Sequence, residues 1–389
     1  MSNMPSPLAR FDAGLCVPTD PVEAIKAGQI GKDTCIPTAT GPKRLIYADY
    51  IASGRPLRQV EDFVAQEVLP FYANSHTEDS YCGAVMTQMR EEARTVIAVK
   101  CGADTESHAV IFSGSGATAA LNQIVHLFGV REALAKGKTV RVIVGPYEHH
   151  SNLLPWRESG AEVVEIAQAH DGGPDMGALK DALTQDADLI VAAFSAASNV
   201  TGVCADVEAI TALVKSHDAK MVWDYAGGGP YLPIAMGAAD AIALSPHKFI
   251  GGPGASGVLI VRRDAVTSTT PSRPGGGTVT FVNAHQHDYH TRIEEREEGG
   301  TPNVIGDIRA ALVFIVKDVI GQETLTARHK LLTQRAFAAW GDVAGIDLLA
   351  PEQDDRLPFL SFVPRDTQGR RMDHRAFTRA LSEQFGIQA

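Results

Sequence analysis

From Leu45 onward, short apolar runs rich in branched side chains alternate with longer stretches of helical periodicity. The runs at 109–112, 140–144, 162–166, 189–194, 221–223, 241–244 and 257–261 read as strands, and 117–128, 153–158, 176–184 and 206–217 read as helices. Strands this continuously apolar must be covered on both faces, so the alternation predicts an α/β fold with a mostly parallel sheet between helical layers. Residues 268–303, rich in Gly, Pro and His, break the pattern, and 304–318 and 323–340 then resume it as helices before an α+β tail. The spacing therefore divides the chain into an N-terminal arm (1–45), a large domain (46–303) and a small C-terminal domain (304–389). Pro, Gly and Thr are dense in the arm and no period is sustained there, so it is expected to be irregular.

Charge narrows the partners. Lys and Arg number 35 against 46 Asp and Glu, a net charge of −11, which lacks the basic surplus needed to hold nucleic acid. The best apolar run, 236–244, is interrupted by Asp240, and no basic-then-apolar leader opens the chain, so no membrane partner and a cytoplasmic location are expected. The five cysteines are scattered without CxxC or Cys/His spacing, which points to no disulfide framework and no metal site.

Three strand ends carry chemistry. Ser113-Gly114-Ser115-Gly116-Ala117-Thr118 stands between a strand and a helix, where free amides and a helix N-terminus suit an anion. Gly114, Gly116 and Ala119 also satisfy a dinucleotide fingerprint, which keeps open a nucleotide-binding oxidoreductase. Its acidic partner would have to be Glu148, 29 residues after Ala119 rather than about 20. The loop Glu148-His149-His150-Ser151-Asn152 follows the next strand, and a histidine there could stack on an aromatic cofactor or serve as a helix cap. Finally, Asp224 closes one strand, and Ser245-Pro246-His247-Lys248 closes another ahead of a Gly-rich turn. A lysine amine and an ionised carboxylate so placed suit pyridoxal phosphate: a Schiff-base lysine, a protonated ring nitrogen, and phosphate donors in Ser245 and His247.

Taken together, 46–303 resembles the class V aminotransferase family of fold-type I pyridoxal phosphate enzymes, which includes cysteine desulfurases and selenocysteine lyases. The resemblance rests on Tyr47-Ala48-Asp49-Tyr50, Ser115 to Thr118, Glu148 to Asn152 with Pro155-Trp156, Ser198-Asn199-Val200-Thr201-Gly202, Asp224, Ser245 to Lys248 and Gly299-Gly300-Thr301-Pro302-Asn303, in that order. It implies a three-layer α/β/α domain with a seven-stranded mixed sheet and a smaller α+β domain. It implies pyridoxal 5'-phosphate as cofactor, with Lys248 as Schiff-base lysine and proton carrier, Asp224 on the ring nitrogen and His149 stacked on the ring. Gly116, Ala117, Thr118, Ser245 and His247 would hold the phosphate. Asn199 would touch cofactor or substrate, Ala52 and His76 would flank a small amino-acid substrate, and Thr301 would reach the phosphate of a partner subunit in a homodimer.

Within that family the His149 loop favours a cysteine desulfurase or C–S lyase reaction, with transamination, epimerisation and a degraded cofactor-binding homologue as alternatives. Two departures stand out. Gly227 occupies the place where desulfurases carry a glutamine, and the chain ends at Phe385-Gly386-Ile387-Gln388-Ala389, before the family's carboxylate-binding arginine and nucleophilic cysteine. The small domain is therefore expected to be incomplete, with Arg55, Arg273 and Arg292 as stand-ins for the arginine.

Overall fold

In the computed structural model, which describes residues 5–75, 79–170, 172–351 and 355–389, all seven apolar runs pair into one sheet. The strands are β1 (His108–Phe112), β2 (Val140–Val144), β3 (Glu162–Glu165), β4 (Leu189–Ser195), β5 (Lys220–Asp224), β6 (Ala241–Leu244) and β7 (Val258–Arg262). Their order is β1-β7-β6-β5-β4-β2-β3. β7 runs antiparallel to β1 and β6, and the remaining pairs are parallel. The mixed three-layer fold expected from the sequence is the one observed.

Successive strand residues point to opposite faces and feed two separate cores. Val110, Phe112, Trp223, Ile242 and Leu244 enter one core, whereas Ala109, Ile111, Val222, Ala241 and Ala243 enter the other. The principal helices are α1 (Pro7–Leu15), α2 (Pro21–Ala27), α3 (Tyr81–Lys100), α4 (Gly116–Leu127), α5 (Val304–Ile320), α6 (Gln322–Trp340) and α7 (His374–Phe385). α4 buries Ala117, Leu121 and Ile124 in the second core, and α1, α3 and α5 close the first.

One expectation needs correction, and two further regions hold elements that the pattern does not show. The arm is not irregular. Ser6 caps α1 with Pro7 in its first turn, and Leu8, Phe11 and Leu15 form a buried stripe; proline there starts a helix rather than breaking one. α3 escaped the periodicity because two arginines, Arg90 and Arg94, share its buried stripe with Met86, Met89, Ala93 and Ile97. Residues 268–303 hold a hairpin (Val279–Val282 with His287–Tyr289) and a short helix (Ile293–Glu297).

By packing, α5 belongs with the large unit. Residues 306–316 are all buried, and the helix lies along α3. A helix that is apolar nearly all round stabilises a core, not a small surface unit. Beyond it, Ile346–Leu348 pairs with Phe362–Pro364, and Ile387–Gln388 runs parallel to Ile46–Tyr47, bringing the two chain regions together.

Strand register gathers the chemistry at one edge. Val144 pairs with Ala193, Ser195 with Asp224, and Asp224 with Ala243, so β2, β4, β5 and β6 deliver their carboxyl ends side by side. Open α/β sheets bind ligands in that place.

Candidate active site

Asp224 closes β5 at 3% exposure, and its Oδ1 accepts a 2.8 Å hydrogen bond from Ala226 N, its only hydrogen bond among the described residues. Burial pushes this carboxyl up to about 6, against the pull of the Ala226 amide and the Lys248 charge. Lys248 lies in the single 3₁₀ turn Pro246–Lys248 that follows β6. Burial lowers its amine pKa, opposed by Asp224 and Asp49, and the amine makes no hydrogen bond among the described residues. A half-buried amine facing a buried carboxylate, neither one saturated, is an arrangement that awaits a third group.

Beside them, the start of α4 forms a turn built largely from backbone. Gly116 opens α4 at φ 66°, and its N-cap residue Ser115 makes no capping hydrogen bond of its own. Ala117 N donates to Ser245 Oγ at 2.9 Å, which joins the helix end to the turn carrying Lys248. A Cβ on Gly116 would stand 2.9 Å from both Ser245 Oγ and His247 Cε1, so only glycine lets these three close. Thr118 Oγ1 lies 2.7 Å from Ser151 Oγ, tying α4 to the His149 loop.

His149 is joined to this turn through Ser151, whose Oγ lies 3.0 Å from its Nδ1. Ser151 N donates to its Nδ1 at 3.1 Å, which leaves the ring proton on Nε2. Burial, then the charges of Lys248 and His150, lower its pKa and favour the neutral ring. On the opposite wall, residues 49–54 lie across the Lys248 turn: Gly54 N and Ser53 Oγ both donate to His247 O, at 3.0 and 3.3 Å. This places Ala52 beside the turn. Asn199 is half-buried, and a Cβ on Gly227 would lie 3.7 Å from its own Cβ, in ordinary contact.

Other expected residues fall elsewhere. Thr301 is exposed and forms no hydrogen bond among the described residues. His76 lies outside the described residues. Arg292 is engaged by Glu91, Glu294 and Glu295, so it is not free to take a substrate carboxylate. Arg55 lies 4.9 Å from the Tyr47 ring centroid and donates to Ile30 O at 3.2 Å, and Arg273 is exposed.

Sequence reasoning gave Glu148 only a tentative nucleotide role. In the structure its carboxylate is occupied by Ser195 and Asn152. The glycine three residues earlier, Gly145, is the sequence signal for this packing, because its missing Cβ leaves room for the folded-back side chain.

These features fit pyridoxal phosphate. A helix end whose own N-cap residue is unengaged, with a serine and a histidine closing on a glycine, suits the phosphate, the under-satisfied Asp224 suits a pyridinium, and the unengaged Lys248 amine suits an aldehyde. Such a constellation at the carboxyl edge of this sheet defines a fold-type I pyridoxal phosphate enzyme.

The family model described as aminotransferase class V matches residues 46–388, and the chain belongs to that family. A nucleotide-binding oxidoreductase is thereby set aside. Among relatives, a probable cysteine desulfurase of Aeropyrum pernix is 32% identical over 296 residues, covering 74% of this chain and 69% of its own. Probable cysteine desulfurase 2 of Mycobacterium leprae is 28% identical over 332 residues, covering 83% and 77%. In fold, the chain is similar to the cysteine desulfurase of Thermococcus onnurineus at a TM-score of 0.74 and 23% identity, covering 87% of this chain and 82% of that one. No described helix is long and apolar enough to cross a membrane.

Proposed function

We propose that this enzyme releases sulfur from a small thiol-bearing amino acid, with cysteine as the first substrate to test. The observation that carries the site assignment is the apposition of Lys248 and Asp224 at neighbouring strand ends, with the Gly116 cradle on one side and the His149 loop above. The names of the relatives and the match of that loop support a sulfur substrate.

Bound pyridoxal phosphate supplies an electron sink for bonds at the carbon next to the substrate amine. Lys248 would hold the cofactor through its ε-amine, and the same amine would take and return the proton at substrate Cα. Its lowered pKa increases the share of neutral amine near neutrality, the form that can act as nucleophile and base. Asp224 holds the ring nitrogen, and burial strengthens that contact because no water competes for the carboxylate. Ala117 and Thr118 amides, Ser245 and His247 receive the phosphate. With the cofactor bound, His149 would cover the ring and exclude water, Asn199 would orient cofactor or substrate, and Ala52 would border the substrate.

The same reading includes a homodimer in which Thr301 serves the partner's phosphate site. The exposure of Thr301, and its lack of hydrogen bonds within the described part of its own chain, support that placement. Five free thiols suit a reducing compartment, and we place the enzyme in the cytoplasm.

Purified enzyme loaded with cofactor and given cysteine plus a thiol reductant tests the reaction. Sulfide with alanine assigns a desulfurase, and sulfide with pyruvate a C–S lyase. Amino-group transfer without sulfide overturns the sulfur assignment.

A further inference from the structure

Glu148 lies one residue before His149 and is half-buried at the junction of β4, the His149 loop and β5. We infer that Glu148 is a positioning residue of the cofactor site, which pins the His149 loop to the end of β4 and sets the charge beside Asp224. The inference rests on the pyridoxal phosphate reading above.

Three donors converge on this one carboxylate. Ser195 N donates to Oε1 at 2.8 Å, while Ser195 Oγ and Asn152 Nδ2 donate to Oε2 at 2.7 and 2.5 Å. Asn152 is fully buried, and its other end is taken: Oδ1 accepts from Trp156 Nε1 at 3.1 Å, so the amide cannot turn over without loss. Ser195 stands directly opposite Asp224 in the β4–β5 register. The backbone is built to admit the side chain, because a Cβ on Gly145 would meet Glu148 Oε1 at 2.7 Å and Phe194 Cδ1 at 2.8 Å. Through His149, Ser151 and Thr118 the same anchor extends to α4. One carboxylate thus joins the strand beside Asp224 to the loop over the ring and, beyond it, to the phosphate helix.

Its charge is variable near neutrality. Burial pushes the Glu148 carboxyl up to about 7; the Ser195 and Asn152 hydrogen bonds oppose the shift, and Asp224 adds to it. The titratable groups around it are Asp224 on β5 and His149 and His150 in its own loop, with Lys248 facing Asp224 and His149. When Glu148 takes a proton at Oε2, Ser195 Oγ can turn to accept it. Ser195 N and Asn152 Nδ2 continue to donate, so the loop stays pinned and only the charge beside Asp224 changes. An ionised Glu148 strengthens the hold of the Asp224 side on a positive ring nitrogen, and a neutral one weakens it.

The experiment compares wild type with Glu148→Gln in two measurements. In cofactor-free protein, thermal unfolding is followed from about pH 5 to about pH 8. The folded carboxyl binds its proton more tightly than the unfolded one, so wild type loses stability relative to Glu148→Gln as pH rises across this window. In pyridoxal phosphate-loaded protein, the pH midpoint of the cofactor's visible absorption shifts downward in Glu148→Gln, a change that a purely structural role does not produce. Should Glu148→Gln fail to fold, Ser195→Ala substitutes. Removing one donor to the anion moves the pH-dependent stability loss of the cofactor-free protein upward. Parallel pH dependences in wild type and variant overturn the inference. A wild type that binds no pyridoxal phosphate overturns the cofactor reading instead, while the cofactor-free comparison still reports on Glu148.

Discussion

Gly116 and Ser245 meet where the first turn of α4 closes on the end of β6, and a Cβ on Gly116 would stand 2.9 Å from the Ser245 hydroxyl. Gly116→Ala therefore meets both this contact and a backbone at φ 66°, a region that costs an L side chain roughly 1–2 kcal/mol. The expected outcome is a lower melting temperature and weaker pyridoxal phosphate binding, read by calorimetry and by equilibrium titration with the cofactor.

Gly227 gives the opposite result. A Cβ there would find Ala197 O at 3.4 Å and the Asn199 and Ile51 side chains at 3.7 Å, which is ordinary contact, and its φ is not positive. Gly227→Ala is expected to stabilise by about 0.4–1 kcal/mol through the unfolded chain. Urea unfolding checks this, and a destabilised variant would contradict the geometry.

Lys248→Ala is expected to abolish the visible band of the lysine-bound cofactor and its capture by borohydride. Non-covalent binding should persist, because Ser245, His247 and the α4 amides are untouched. A reducible adduct that survives in the variant would move the assignment to another lysine.

Asp224→Asn separates stability from function. Burial raises the carboxyl to about 6 in the folded protein, so the folded state binds more protons than the unfolded chain between about pH 4 and about pH 6. Wild type should accordingly lose stability as pH rises through that window. The cofactor-free variant should lack that component and be the more stable of the two above about pH 6, while turnover drops because the ring nitrogen has lost its anion. Melting curves across pH and steady-state rates measure the two effects independently.

Glu298 holds the loop that leads to Thr301. It accepts from Arg94 at 2.6 and 2.5 Å, from Arg90 at 2.6 Å and from Phe112 N at 2.7 Å, all with little exposure. Burial opposes its ionisation, but the two guanidinium groups hold it below the usual carboxylate range. Glu298→Ala removes the carboxylate that the two arginines share, leaving Arg90 with Asp307 and Arg94 with Glu91, and is expected to cost about 1–3 kcal/mol in denaturant unfolding. A loss under about 1 kcal/mol would show that water reaches the arginines.

The sheet was legible in the chain because each strand is an apolar run buried on both faces, a signal carried by neighbouring residues alone. So were the Gly116 turn, Asp224 and Lys248, since each stands where such a run ends. Packing through space decided the rest. Pro7 starts a helix only because Ser6 caps it and Leu8, Phe11 and Leu15 find a core. Arg90 and Arg94 enter a buried stripe because Glu298 and Asp307, more than 200 positions beyond them, join the nearby Glu91 in neutralising them, and helical periodicity has no access to the two distant partners. Arg292, which the chain alone leaves as a substrate-binding arginine, is taken up by Glu91, Glu294 and Glu295. The role of Glu148 needed the β4–β5 register, which sets Ser195 opposite Asp224 and brings two carboxylates together from positions 76 residues apart in the chain. Local pattern determines which segments become strands and where glycine is required; desolvation and charge pairing depend on partners that only the folded chain brings together.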